Sequence, residues 1–69
     1  MKLYFENSRG VKRLIGEPAT EDEALKLIRK FCGERKYYIH YIRIWVSPDT
    51  GMKVFDVGSH TEFFHLDMN

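Results

Sequence analysis

Alternating apolar and polar residues at the start of the chain predict a β-hairpin. Leu3 and Phe5 alternate with polar or amphipathic neighbours over residues 2–6, which is the two-residue period of a half-buried strand. Turn formers occupy residues 7–10 and end in Gly10, which can adopt a positive φ, and extended chain resumes at residues 11–15. Pro18 ends the hairpin because it lacks the N–H group that a central strand uses.

A capping box followed by an apolar stripe predicts one amphipathic helix over residues 20–32. The Thr20 hydroxyl can accept a hydrogen bond from the Glu23 amide, and the Glu23 carboxylate can accept one from the Thr20 amide. Gly33 is expected to form the C-terminal cap. The apolar residues that recur at helical spacing are Ala24, Leu25, Leu27, Ile28, Phe31 and Cys32.

The second half of the chain predicts three further strands. Residues 36–46 are rich in aromatic and β-branched side chains, which favour one long strand. Residues 47–51 are typical of a hairpin loop in which Gly51 takes a left-handed conformation, and residues 52–57 and 61–66 form two strands around Gly58. The order ββαβββ indicates an α+β fold: an antiparallel sheet of four to five strands with one helix on one face, in a single domain of residues 1–69.

One short helix can cover only one face of such a sheet, so the other face is expected to be open. Within the long predicted strand, the β-branched aliphatics place Tyr38, His40, Ile42, Ile44 and Val46 on the helix side. The opposite set then forms a row on the open face, consisting of Tyr37, Tyr41, Arg43 and Trp45 together with Ile39. Such a row is typical of a protein contact surface, although aromatic side chains also pack across strands in ordinary sheets.

The turn at residues 56–62 concentrates polar side chains between the last two predicted strands. Asp56, Ser59, His60 and Glu62 include the residue types of a catalytic nucleophile, base and orienting acid. A chain of 69 residues is not expected to enclose the water-excluding pocket that catalysis needs, so we predict no catalytic residue and no enzyme. Asp56 and Ser59 are expected to bond turn amides, while Asp56, His60 and Glu62 extend the partner-binding surface.

Composition and charge limit the partners and the cellular compartment expected for this protein. Eleven Lys and Arg residues against ten Asp and Glu give a net charge of +1, which implies no global attraction to nucleic acid or anionic lipid. The single Cys32 favours a reducing compartment, so we expect a cytoplasmic protein, and no apolar run is long enough for a membrane span. We expect no metal or cofactor. A zinc ion held by His60, His65, His40 or Cys32 stays open as an alternative, since only His60 and His65 have a suitable spacing.

The closing run of residues 55–64, FDVGSHTEFF, resembles a group of small uncharacterised proteins encoded by phages and prophages of Gram-positive bacteria. The opening FENSRG and the layout of helix followed by aromatic strand are similar as well. The resemblance implies a protein that binds a host machine and blocks it. Some chains of this size from the same hosts are similar to anti-CRISPR proteins directed at an RNA-guided nuclease.

These observations lead to one main functional hypothesis and two alternatives. The main hypothesis is a phage-derived protein in the host cell that inhibits a host protein by steric blockade, with a type II RNA-guided nuclease as the candidate target. The residues expected to contact the target include Tyr37, Tyr41, Arg43 and Trp45. One alternative is a nucleic-acid-binding module that uses the same face. The other is a homo-oligomeric structural or assembly protein that pairs through an edge strand or the open face.

Overall fold

A computed structural model, which describes residues 1–69, confirms the predicted α+β fold and the order ββαβββ. The five strands form one antiparallel sheet in the order β2-β1-β5-β4-β3, so the first and last strands of the chain are neighbours at its centre and β2 and β3 are its edges. The elements are β1 (Lys2–Glu6), β2 (Lys12–Gly16), α1 (Glu21–Glu34), β3 (Arg43–Val46), β4 (Lys53–Asp56) and β5 (Phe63–Asp67).

The hydrophobic core lies between α1 and one face of the sheet. Register pairs Phe5 with Phe64 and Phe64 with Phe55, so three adjacent strands present a phenylalanine to the helix. Phe31 of α1 stands edge-on to Phe64, with the ring centroids 5.6 Å apart. The buried residues of this core are Leu3, Phe5, Ala24, Ile28, Cys32, Phe55, Val57, Phe64 and Leu66.

The helix begins where the sequence predicts but ends later. The Thr20 hydroxyl accepts from the Glu23 amide across 3.2 Å, and the Glu23 carboxylate accepts from the Thr20 amide across 3.2 Å, so the capping box is confirmed. The predicted cap at Gly33 is wrong, because α1 continues to Glu34 and Lys36 takes the left-handed conformation, with φ 56°. The Lys36 amide donates to the Gly33 carbonyl and the Tyr37 amide to the Cys32 carbonyl, a Schellman motif without its usual glycine.

The long strand predicted over residues 36–46 is also wrong, since only Arg43–Val46 is a strand. Tyr37, Ile39 and Ile42 all pack against the core. Residues 39 and 42 have opposite parity and would point to opposite faces of one regular strand, so extended chain cannot bury both on the same side. Burial of these side chains overrides the local preference for a strand, and the segment between α1 and β3 is irregular.

Within β3 itself the predicted alternation is correct, but its outcome differs. Ile44 pairs with the buried Phe55 and therefore lies on the helix side, whereas Arg43 and Trp45 lie on the open face. Ile44 and Val46 are nevertheless exposed, because β3 is an edge strand, outside the part of the sheet that forms the core. Tyr38 and His40, predicted to face the core, are exposed as well.

The remaining boundaries differ from the prediction by at most two residues, and the predicted positive φ is present at Gly10 and Gly51. Gly58 also has a positive φ. The structure contains no helix with the length and apolar character needed to cross a bilayer.

Candidate functional site

The open face of the sheet, on the side away from α1, is crossed by a row of mostly apolar residues. Strand register connects one residue from each strand: Tyr4 lies between Leu14 and His65, and Val54 lies between His65 and Trp45. We call this set the apolar row; from edge to edge it consists of Leu14, Tyr4, His65, Val54 and Trp45. It could not be found from the long-strand interpretation, since four of its members come from other strands.

A second row runs beside the apolar row and carries charges. Glu6 pairs with Lys12 on one side and Phe63 on the other, and Arg43 pairs with Asp56. Continuing the register between β4 and β5 by one position places Asp56 opposite Phe63. Each cation of this charged row therefore has a carboxylate on the neighbouring strand. The charged row consists of Lys12, Glu6, Phe63, Asp56 and Arg43.

Side chains at the centre of the open face are buried although no helix covers them. Val54 and His65 are buried, whereas Leu14 and Trp45 at the two ends of the apolar row are exposed. The Trp45 and Phe63 rings meet edge to face at a centroid distance of 6.0 Å. Trp45 is therefore a partly exposed aromatic side chain that packing already holds in place.

His65 and Glu6 form a short polar contact across two neighbouring strands at the centre of the face. The distance from His65 Nε2 to Glu6 Oε1 is 2.6 Å. With Glu6 ionised, Nε2 donates this bond, and the other ring nitrogen, Nδ1, is buried without a hydrogen-bond partner. His65 was considered from sequence only as a zinc ligand; its contact with Glu6 depends on the pairing of β1 with β5.

Arg43 is fixed at the end of the charged row by the fully buried carboxylate of Asp56. Arg43 Nη2 donates to Asp56 Oδ2 across 2.8 Å, and the guanidinium carbon lies 5.5 Å from the centre of the Trp45 ring. The amides of Gly58 and His60 donate to the other carboxylate oxygen, at 2.9 Å and 3.4 Å. Burial alone would raise the pKa of Asp56, but the bonds from Arg43 and the two amides together lower it. The bond to Asp56 in turn raises the pKa of Arg43.

A chain of contacts leads from Asp56 through His60 to Tyr41. His60 Nδ1 lies 3.5 Å from Asp56 Oδ2, and its Nε2 is 2.9 Å from the Tyr41 hydroxyl. His60 adopts φ 63°, an uncommon conformation for a side chain with a Cβ, which the turn imposes. The order of carboxylate, imidazole and hydroxyl is that of a catalytic triad, but the His60 ring and Tyr41 are exposed. The arrangement positions the Tyr41 phenol at the surface beside Arg43.

The predicted turn bonding within residues 56–62 is confirmed. Ser59 Oγ accepts from the Glu62 amide across 2.9 Å and donates to the Glu62 carbonyl across 2.8 Å. Glu62 and Tyr37 do not join the open face; both line a cavity of about 30 Å³ beneath the turn of residues 56–62, next to Phe31 and Cys32. That volume has room for about one water molecule.

Tyr37 therefore has to be removed from the predicted row. It packs against the core rather than beside Tyr41 and Trp45, and burial raises the pKa of its phenol. The surface that the structure assembles contains Tyr41, Arg43 and Trp45 from the predicted set, with His60 behind Tyr41. We call Tyr41, Arg43 and His60 the corner.

The candidate metal ligands do not converge on one point. Cys32 is in the core, where burial raises the pKa of its thiol, and His65 is on the open face. His60 belongs to the corner, and His40 lies against Gly58 and the Tyr38 ring. No group of three or more His, Cys, Asp or Glu side chains is arranged to hold a metal ion.

Comparison with protein-family models gave no match, and comparisons with curated proteins and with solved structures gave none either. The surface of the chain itself therefore carries the functional inference.

Proposed function

We propose that this protein binds a host protein and inhibits it by covering part of its surface, using the end of the open face at Trp45 together with the corner. The observation that carries this proposal is that contacts link three side chains that are each at least partly exposed: Tyr41, Arg43 and Trp45. The Arg43 guanidinium lies 5.5 Å from the centre of the Trp45 ring and bonds Asp56. His60 also contacts Asp56, and it bonds the Tyr41 hydroxyl. Tyrosine, arginine and tryptophan are the residue types that dominate binding energy at protein interfaces.

The side chains of this surface are already ordered, which favours binding. Asp56 holds Arg43, Phe63 contacts Trp45, and His60 bonds the Tyr41 hydroxyl. Immobilising a flexible side chain at an interface costs about 0.5–1.5 kcal/mol, so side chains fixed before binding retain more of the contact energy as affinity.

A binding role fits this geometry better than catalysis. The cavity beneath the turn of residues 56–62, of about 30 Å³, is too small for a substrate, and the Tyr41 hydroxyl lies on an exposed surface rather than in a cleft. Nucleic acid is also less suitable as a partner, because Glu6 lies opposite Lys12 in the strand register and the Arg43 guanidinium is ion-paired with Asp56. A row with as many carboxylates as cations offers little net attraction to phosphates.

The choice of target rests on the resemblance of residues 55–64 to phage and prophage proteins. It favours a host defence protein, and we propose a type II RNA-guided nuclease as the first target to test. Because the charged row carries two cations and two carboxylates, it does not present the uniform negative charge of DNA, and blockade by shape is expected rather than imitation of DNA.

The test measures DNA cleavage by a purified type II nuclease with increasing amounts of the protein. Inhibition is expected for the wild type, and Trp45→Ala should weaken it about 30-fold, the loss of one hot spot of about 2 kcal/mol. Val46→Ala is the matched control, since Val46 is the next residue of β3 and lies on the other face. Full cleavage at saturating protein would remove the nuclease as target.

The binding surface is tested separately from the target. Capture from host lysate on immobilised wild type, compared with immobilised Trp45→Ala, reports any partner of the open face. A captured protein that Trp45→Ala retains as well as the wild type does would show that the contact lies elsewhere.

A further inference from the structure

The two edge strands of the sheet differ in their protection against pairing. β2 begins with Lys12 and Arg13, and cations on an edge oppose the addition of another strand. β3 carries one cation, Arg43, whose charge is engaged by Asp56. The rest of β3 is apolar and exposed: Ile44, Trp45 and Val46. An exposed apolar edge of this kind is a template for a further strand.

Hydrogen bonding to β4 determines which backbone groups of β3 face outwards. The Ser47 amide donates to the Met52 carbonyl across 2.9 Å, just beyond the last register pair of β3 and β4. Bonded and non-bonded pairs alternate in an antiparallel ladder, so Trp45 and Arg43 also bond to β4. The amide and carbonyl groups of Ile44 and Val46 therefore point away from the sheet.

We propose that β3 pairs with β3 of a second copy of this chain, antiparallel, with the two Trp45 residues opposite each other at a two-fold axis. This inference goes beyond the proposed function, because it concerns a second copy and not the host protein. In this register Ile44 of each copy bonds Val46 of the other, and all outward groups of β3 find partners.

The neighbouring registers fail for reasons that the chain itself supplies. A register centred on Ile44 would pair Val46 with Ile42, which packs against the core and lies outside the strand. A register centred on Val46 would pair Ile44 with Pro48, which has no amide hydrogen to donate. Slipping by a single position would place helix-side residues opposite open-face residues.

The side chains are compatible with this pairing. The two Trp45 residues occupy a non-bonded pair, where side chains approach most closely, and Ile44 meets a β-branched valine. Arg43 lies opposite Ser47, so no like charges meet. The apolar row continues from one copy into the other across a ten-stranded sheet, and both of its outer edges are then the cationic β2 strands, which closes the assembly as a dimer.

The first test measures mass by sedimentation while the protein is diluted from about 1 mM to about 1 µM, a range suited to the weak association of a small interface. We expect a reversible change from twice the 8.2 kDa of one chain to the monomer. Ile44→Lys should abolish dimerisation. Leu14→Lys, on the β2 edge and 47% exposed against 45% for Ile44, should leave it unchanged.

A chain that is monomeric throughout would overturn the proposal, and so would equal loss of dimer in Leu14→Lys. A chain that is monomeric alone but loses target binding in Ile44→Lys would assign the edge to a strand of the target, which also overturns self-pairing. Circular dichroism establishes that both variants are folded before their masses are compared.

The second test fixes the register by disulfide trapping in a Cys32→Ala background. Trp45→Cys should form a symmetric cross-link under mild oxidation, because its two copies are directly opposite. Ile44→Cys should cross-link at least about tenfold more slowly, since its two copies are two positions out of register and their Cα atoms exceed the roughly 7 Å that a disulfide spans. Faster cross-linking of Ile44→Cys would overturn the proposed register.

Discussion

The Arg43 guanidinium lies 2.8 Å from the Asp56 carboxylate, and the two side chains differ sharply in exposure, since Asp56 is fully buried and Arg43 is more than half exposed. The same carboxylate accepts the amides of Gly58 and His60. One buried group therefore joins the edge strand β3 to β4 and also shapes the turn that presents His60 to Tyr41. The corner depends on this carboxylate being ionised.

Stability of the protein should fall in acid partly through Asp56. Burial alone would raise the pKa of Asp56, but its hydrogen bonds hold the pKa below the unfolded value of about 3.9. The carboxylate therefore stabilises the fold at pH values above the unfolded pKa, and this stabilisation is lost as pH falls through the lower folded pKa. We expect Asp56→Asn to be less stable than the wild type at neutral pH, with a difference that shrinks in acid.

Urea unfolding at a series of pH values from about 7 to about 2 measures this difference. Asp49→Asn is the control, because Asp49 lies in the exposed loop between β3 and β4 and accepts no hydrogen bond in the structure. If the free energies of unfolding of Asp56→Asn and the wild type differed by the same amount at every pH, the ionised carboxylate would not stabilise the fold.

The thiol of Cys32 should be protected from modification. Burial raises the pKa of Cys32, which lowers the concentration of the reactive thiolate, and the core covers the sulfur atom. We expect a disulfide reagent to react at least about 100-fold more slowly with the folded protein than with the protein in urea. The absorbance of the thiol released from the reagent measures both rates. Comparable rates for the folded and the unfolded protein would contradict the burial of Cys32.

Local signals explain which parts of the fold the sequence predicts. Thr20 and Glu23 form the helix start within four residues, and the alternation of residues 2–6 identifies β1 because one side of that strand is buried. The segment of residues 37–42 was assigned wrongly, since its strand preference is local whereas its burial depends on α1 and the core. Aromatic and β-branched residues are suited both to a regular strand and to an irregular segment that packs against the core.

The candidate site was predictable in part for the same reason. The turn bonds of Asp56 and Ser59 span a few residues, and they were expected from the residue types. Tyr41 meets His60 across 19 positions, and Glu6 meets His65 across 59. Contacts of this range follow from strand order, which periodicity does not determine. The apolar row could be recognised only once β1 was known to lie beside β5.

Two glycines should respond in opposite directions to the same substitution. Gly33 lies inside α1 with open space where a Cβ would be, so Gly33→Ala should stabilise the protein by about 0.5–1 kcal/mol. Gly58 has φ +105°, and a Cβ there would come within 3.2 Å of the His40 Cβ, so Gly58→Ala should destabilise it by more than about 1 kcal/mol. Thermal unfolding of both variants and the wild type measures these changes in stability. A helix ending at Gly33 would instead make Gly33→Ala destabilising.

Replacing Lys36 by glycine should stabilise the protein, because Lys36 adopts a left-handed conformation. Lys36 is exposed, has φ 56°, and occupies the position of the Schellman motif where glycine is usual. A residue with a Cβ pays about 1 kcal/mol there, so Lys36→Gly should stabilise the protein by about 0.5–1 kcal/mol after the added flexibility of the unfolded chain is subtracted. Lys36→Ala is the matched control, because it removes the same side chain but keeps the Cβ. Urea unfolding should rank glycine above alanine, and equal stability of the two variants would mean that α1 does not end in this conformation.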